Sequence, residues 1–134
     1  MIKALIITHG ELGMEMVKVC DAILESKSGI TCITFDWRED GSHIIAEIER
    51  FVSQHADHEI IIFTDMFGGS PANISTKFFG PRVEVVSGIN LPGLLKFLCY
   101  KDRGLTLPEI TRIVKEGAIQ GINVMSEYLG EKKP

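Results

Sequence analysis

The chain carries little that would cross-link it, anchor it or give it one dominant charge. Its three cysteines among 134 residues are an odd number without C-x-x-C spacing, which excludes a disulfide framework. Cys20, Cys32 and Cys99 each lie in an apolar stretch and read as buried, reduced thiols. No apolar run approaches the ~18 residues that a membrane span needs. The first ten residues offer no small-residue cleavage site, so they read as a strand rather than a signal peptide. Lys and Arg number 14 against 18 Asp and Glu, a net charge of -4, and no basic run exceeds Lys132-Lys133. A nucleic-acid surface needs clustered cations and is therefore excluded. There is no internal repeat and no low-complexity linker. These absences leave one soluble, cytoplasmic domain over residues 1–134, not embedded in a membrane.

What is present is a rhythm of short β-rich runs and longer amphipathic ones, the mark of an α/β fold with a mainly parallel sheet. Lys3–Ile7, Ile30–Phe35, Glu59–Thr64 and Arg82–Ser87 are dense in Ile, Val and Phe, as strands covered on both faces are. A first helix is expected to bury Met16, Val17, Cys20, Ile23 and Leu24, and a second Ile44, Ile45, Ile48, Phe51 and Val52. Asp40 or Ser42 is available to cap the second. The third starts at Ser70-Pro71, with Ser at the N-cap and Pro in the first turn, and stops at Gly80-Pro81. Asn90 precedes the fourth, which includes Leu94, Leu95 and Leu98. A fifth runs from about Leu107 to Ala118. Gly121–Leu129 reads as a last strand or as a helix extension, and the strand is the expectation. The whole is an open, doubly wound sheet of order 2-1-3-4, with helices on both faces.

In such sheets the functional crevice lies beyond the carboxyl ends of the strands. His9 ends the first strand and Asp65 ends the third, and the order 2-1-3-4 makes those strands neighbours. A histidine acting as a nucleophile needs a neutral ring with one nitrogen free. A carboxylate on the other nitrogen fixes the tautomer and stabilises the cation formed on attack. Asp65 suits that role. Gly68-Gly69-Ser70 leads into a helix, and helix N-termini present N–H groups to anions such as phosphate. Glycine lets that backbone come close. No Lys or Arg clamp stands nearby, which suits a phosphoryl group that is passed on rather than held.

Three stretches in register resemble a known family. They are Ile6-Ile7-Thr8-His9-Gly10, then Phe63-Thr64-Asp65-Met66-Phe67-Gly68-Gly69-Ser70-Pro71-Ala72-Asn73, then Ser87-Gly88-Ile89-Asn90-Leu91-Pro92. Together they are similar to the IIA component of the mannose-type (mannose/fructose/sorbose) bacterial sugar phosphotransferase system. The resemblance covers about the first 100 residues. It implies a homodimer, commonly completed by exchange of a C-terminal strand. It also implies a phosphohistidine cycle: phospho-HPr phosphorylates His9, and a IIB component accepts the group. Asp65 would orient His9, with attack through Nε2, while Gly68, Gly69 and Ser70 support the phosphoryl group. Neither metal nor cofactor is expected. The family often has Trp where Phe67 stands, so an aromatic is kept. The chain stops at Pro134 without a linker and IIB domain, so a stand-alone IIA with a separate acceptor is expected. The sugar is not legible, because a IIA does not touch it.

Glu11, Leu12, Trp37, Met66 and Phe67 flank the expected site as a partner rim, although core packing explains the apolar ones equally well. His55 and His58 have metal-like spacing around Asp57, but a helix C-terminus attracts imidazolium anyway. His43 has no evident partner. Two rival readings stand beside the phosphocarrier. One is a nucleotide- or flavin-binding module, against which the first turn, Thr8-His9-Gly10-Glu11-Leu12-Gly13, has neither G-x-G-x-x-G nor a P-loop. The other is a regulatory subunit that binds a partner according to phosphorylation state, without a transport role. A phosphotransfer subunit serving dihydroxyacetone kinase has similar architecture, but Gly68-Gly69-Ser70-Pro71 fits the mannose type better.

Overall fold

Ile, Val and Phe crowd four segments that pair into one parallel sheet, the two central ones buried along nearly their whole length and the two edge ones only in part. A computed structural model describes residues 1–130. The elements run β1 (Ile2–His9), α1 (Leu12–Leu24), β2 (Thr31–Phe35), α2 (Ser42–Gln54) and β3 (Glu59–Thr64). They continue as α3 (Ser70–Thr76), β4 (Val83–Ser87), α4 (Leu91–Tyr100), α5 (Leu107–Gln120) and α6 (Met125–Leu129). The sheet order is β2-β1-β3-β4 with every pairing parallel. This is the doubly wound α/β arrangement that the alternation of β-rich and amphipathic runs implies.

Each face of the sheet holds its own core. Ile6, Ile61 and Phe63 point to the side covered by α1, α4 and α5, where they meet Val17, Cys20, Leu94, Phe97, Ile110 and Val114. Leu5, Ile7, Ile60 and Ile62 point the other way and meet Ile44, Ile48 and Phe51 of α2. Such fully buried aliphatic side chains contribute roughly 1.5–3 kcal/mol each. Register then fixes the site. His9 lies opposite Phe35 on β2 and Ile7 opposite Thr64 on β3, so the residues that leave β1 and β3 emerge together.

Several expectations need correction. Ile23 and Leu24 of α1 are exposed, because this helix lies over β1 and the edge strand β2 and turns only Gly13, Val17 and Cys20 fully inward. Cys99 is exposed, on the outer face of α4, while Cys20 is buried and Cys32 half-buried. Burial, helped by Asp21, pushes both the Cys20 and Cys32 thiols up. The N-cap of α3 is Gly69, and Ser70 is already helical. Gly41 is the N-cap of α2, and Asp40 accepts from the N–H and hydroxyl of Ser42 just ahead of it. His43 does have a partner, Glu39 Oε2 at 2.7 Å, four residues earlier in the turn that precedes α2.

The largest correction concerns the C-terminal segment. The strand expected over 121–129 is instead the short helix α6, exposed throughout. A strand needs a neighbour to receive its backbone hydrogen bonds, whereas a helical turn closes them locally. Tyr128 N–H does so on Val124 O at 2.9 Å. No helix among the described residues is long and apolar enough to cross a membrane.

Candidate functional site

The exits of β1 and β3 bring His9 and Asp65 into direct contact. Asp65 Oδ2 accepts from the backbone N–H of His9 at 3.0 Å and lies 2.8 Å from its Nδ1. A carboxylate only accepts, so in the neutral ring it is Nδ1 that carries the proton and Nε2 that keeps its lone pair. One oxygen thus fixes both the ring and the backbone of the same residue. The His9 side chain is 29% exposed and that of Asp65 11%, which leaves the imidazole reachable and its acid sheltered. The second carboxylate oxygen, Oδ1, is buried without a partner among the described residues.

The ring is enclosed on further sides. Phe35, its register partner on β2, presents an edge at 5.7 Å between centroids and 85° between planes. Trp37 stands 6.4 Å away, tilted by 38°. Gly69 backs onto His9 so closely that a Cβ there would lie 3.0 Å from Cε1. A side chain at 69 would press on the His9 ring and on Met66, and glycine is favoured at 68 by its φ of 84°. Among the described residues, no acceptor meets the N–H of Gly68 or of Ser70. Those donors sit where α3 begins, with Pro71 in its first turn.

Around this centre the apolar side chains face solvent. Leu12 is 50% exposed, Met66 55%, Trp37 68% and Phe67 90%, and Glu11 is exposed too. Core packing therefore does not explain them. Beside His9 lies a hollow of ≈ 420 Å³ lined by Gly10, Thr34, Phe35, Asp36, Trp37 and Arg38. Arg38 grips Asp36 through Nε and Nη2 at 3.1 and 2.8 Å. That side-chain contact holds the Asp36 carboxyl down at about 2.

Other candidates fall elsewhere. Asn90 is structural: its Oδ1 caps α4 on Gly93 N–H, and its Nδ2 reaches Ala118 O, both at 2.9 Å. His55 bonds the Phe51 carbonyl through Nδ1 at 2.9 Å. Arg82 closes the same helix end by donating to the carbonyls of Val52, His55 and His58. No group of metal-ligating side chains forms among the described residues. Sequence reasoning missed Phe35 and the hydroxyl of Thr8 as parts of the site. The register of β2 against β1 would have found Phe35, once strand order was assumed.

The chain is similar to known proteins. Residues 3–115 match the family described as EIIA-man, PTS system fructose IIA component. The PTS system fructose-specific EIIA component of Bacillus subtilis is 26% identical over 137 residues, covering 99% of this chain and 92% of its own. The sorbose-specific EIIA component of Klebsiella pneumoniae is 30% identical over 101 residues, 73% of each chain. Among solved structures, the phosphotransferase system component EIIA from Streptococcus agalactiae superposes with a TM-score of 0.83 at 23% identity, covering 95% of this chain and 99% of that one.

Proposed function

The chain belongs to the EIIA-man family of phosphotransferase-system IIA components, and from that premise we propose that His9 is its phosphorylated nucleophile. The observation that carries this reading is the 2.8 Å contact of His9 Nδ1 with Asp65 Oδ2. It leaves Nε2 as the free nitrogen of a part-exposed ring. A IIA component of this family acts in sugar uptake. The finer reading is a single domain that works in the cytoplasm and needs no cofactor.

The donor is phospho-HPr. The Nε2 lone pair attacks phosphorus, the donor's P–N bond breaks, and its electron pair returns to the donor imidazole. His9 becomes a phosphoimidazolium whose Nδ1–H stays on Asp65, so the positive charge forms against a fixed carboxylate. The N–H groups of Gly68 and Ser70, the backbone of Gly69 and the Ser70 hydroxyl receive the phosphoryl oxygens. Little covalent chemistry falls to the protein, so positioning and charge do most of the work. A separate IIB component then takes the group by the reverse displacement. Glu11, Leu12, Trp37, Met66 and Phe67 form the surface on which both partners dock, since Met and aromatic residues are enriched in interfaces.

The same reading makes the protein a homodimer. Ile119, Ile122, Val124, Met125, Tyr128 and Leu129 are all more than half exposed, and a second chain is the natural cover for so continuous an apolar stretch. Incubation with phosphoenolpyruvate, enzyme I and HPr tests the function. The expected product carries an acid-labile, base-stable phosphate on His9, followed by transfer to a IIB protein. Label on another residue, or none with cognate partners, removes the proposal.

A further inference from the structure

We propose that Thr8 is a positioning residue for His9: it caps helix α1 from outside and locks the nucleophile's turn to that helix. The proposal rests on the phosphocarrier reading above. It begins with a cap that is missing where one is expected. Glu11, at the N-cap of α1, makes no side-chain cap bond. The N–H of Gly13 is satisfied instead by Thr8 Oγ1, at 2.7 Å and buried. Thr8 is itself only 1% exposed. Its hydroxyl proton is directed at Gly10 O, 3.4 Å away. One hydroxyl therefore spans the whole turn His9-Gly10-Glu11, accepting beyond it and donating within it.

Gly13 is the counterpart that makes so short a bond feasible. A Cβ at this position would stand 3.2 Å from Ile6 Cγ1, Thr8 Cγ2 and Thr8 Oγ1. The helix thus approaches the strand more closely than any larger residue allows without displacement. Gly10 completes the turn with a φ of 54° and an N–H bonded to Phe35 O at 2.9 Å. The backbone of His9 is consequently held by the β1 ladder behind it, by Asp65 Oδ2 on its own N–H, and by the Thr8 hydroxyl across the turn ahead. None of these contacts touches the phosphoryl group. They fix where Nε2 points.

Replacing Thr8 by the isosteric Val keeps the volume but leaves Gly13 N–H buried without an acceptor and removes the donor at Gly10 O. The turn then shifts to find other partners, and His9 shifts with it. A displacement on the order of 1 Å at a reacting group costs up to about a hundredfold in rate. The test compares wild type, Thr8→Val and Thr8→Ser in HPr-dependent phosphorylation, with ring-nitrogen NMR of His9 and a thermal melt on each. Thr8→Val is expected to lose about tenfold or more in kcat with KM for phospho-HPr unchanged, because a transition-state geometry rather than docking is damaged. Its His9 ring should lose the single Nδ1–H form. Thr8→Ser keeps the hydroxyl and should recover both readouts.

If Thr8→Val melts below the assay temperature, Gly13→Ala carries the test, since it strains the same bond while keeping the hydroxyl. The same loss in kcat and in tautomer purity is expected of it. A folded variant with wild-type kcat and an unchanged ring overturns the positioning role alone. Wild-type protein that takes no phosphate on His9 overturns the phosphocarrier reading instead, so the two failures are distinguishable.

Discussion

The crevice at the ends of β1 and β3 and the segment from Ile119 to Gly130 are built in opposite ways. In the crevice, polar groups are matched to one another. Asp65 Oδ2 takes two bonds from His9, and Thr8 Oγ1 serves both Gly13 and Gly10. In the C-terminal segment, six large apolar side chains stand in solvent and a five-residue helix buries none of its residues. The first region is assembled by one chain, because parallel register brings distant strand ends together at no further expense. The second is a helix only because a helix closes its own hydrogen bonds. The His9–Asp65 geometry is therefore intrinsic to the single chain, while the tail leaves its apolar surface in solvent.

The contrast is sharpest if phosphorylation and association fail separately. His9→Ala should abolish phosphate incorporation entirely while leaving the melt and the oligomeric state unchanged, as read by radiolabel and sedimentation. Asp65→Asn is more informative than Asp65→Ala. Its amide oxygen is able to accept both bonds from His9 while the charge is gone. A fall of about a hundredfold or more in phosphorylation rate is expected, since the cation formed on attack then lacks its counter-charge. A rate near wild type would show that the contact matters for geometry alone. Gly69→Ala places a methyl 3.0 Å from His9 Cε1, and about a tenfold loss is expected from the displaced ring.

On the other side of the comparison, Tyr128→Glu with Leu129→Glu should turn a dimer into monomers in sedimentation, with the rate of HPr-dependent labelling within about twofold of wild type. Loss of labelling in those monomers would break the comparison outright, because the crevice would then depend on the tail. The smallest effect belongs to Asp36. Its carboxyl is held at about 2, against 3.8 for the free group, chiefly by Arg38. A depressed folded-state value means that the pair contributes above about pH 4 and is lost as pH falls through 2. Carboxyl NMR should show that low midpoint rising toward 3.8 in Arg38→Ala, with the melt scarcely altered, as is usual for an exposed pair.

The legible parts of the fold were those written in local pattern. Runs of Ile, Val and Phe that end in Thr8-His9 and Thr64-Asp65 marked two buried strands and the residues at their exits. Their motif spacing pointed to His9 and Asp65 before any coordinate. Less legible were features that depend on what lies across a gap. Phe35 enters the site through register with His9. Glycine at 69 leaves the imidazole its space, since a Cβ there would stand 3.0 Å from His9 Cε1. The Thr8 bond to Gly13 exists because Gly13, lacking a Cβ, lets α1 settle against Ile6 and Thr8 of β1. Asn90 was legible only as the residue before the fourth helix, and the packing of α4 on α5 gives its Nδ2 the carbonyl of Ala118.

The C-terminal segment divides the two kinds of information most clearly. Ile122, Val124, Tyr128 and Leu129 have strand-forming composition, yet strand is a relation between segments and none of those residues pairs with the sheet. Order along the chain determined the β/α alternation, the two residues at strand exits and the apolar character of the tail, because each is a property of a few consecutive side chains. Tertiary structure decided which nitrogen of His9 is free, what holds its turn and how the tail folds. Each of those depends on hydrogen-bond partners that are far away in sequence and become neighbours only when the sheet closes.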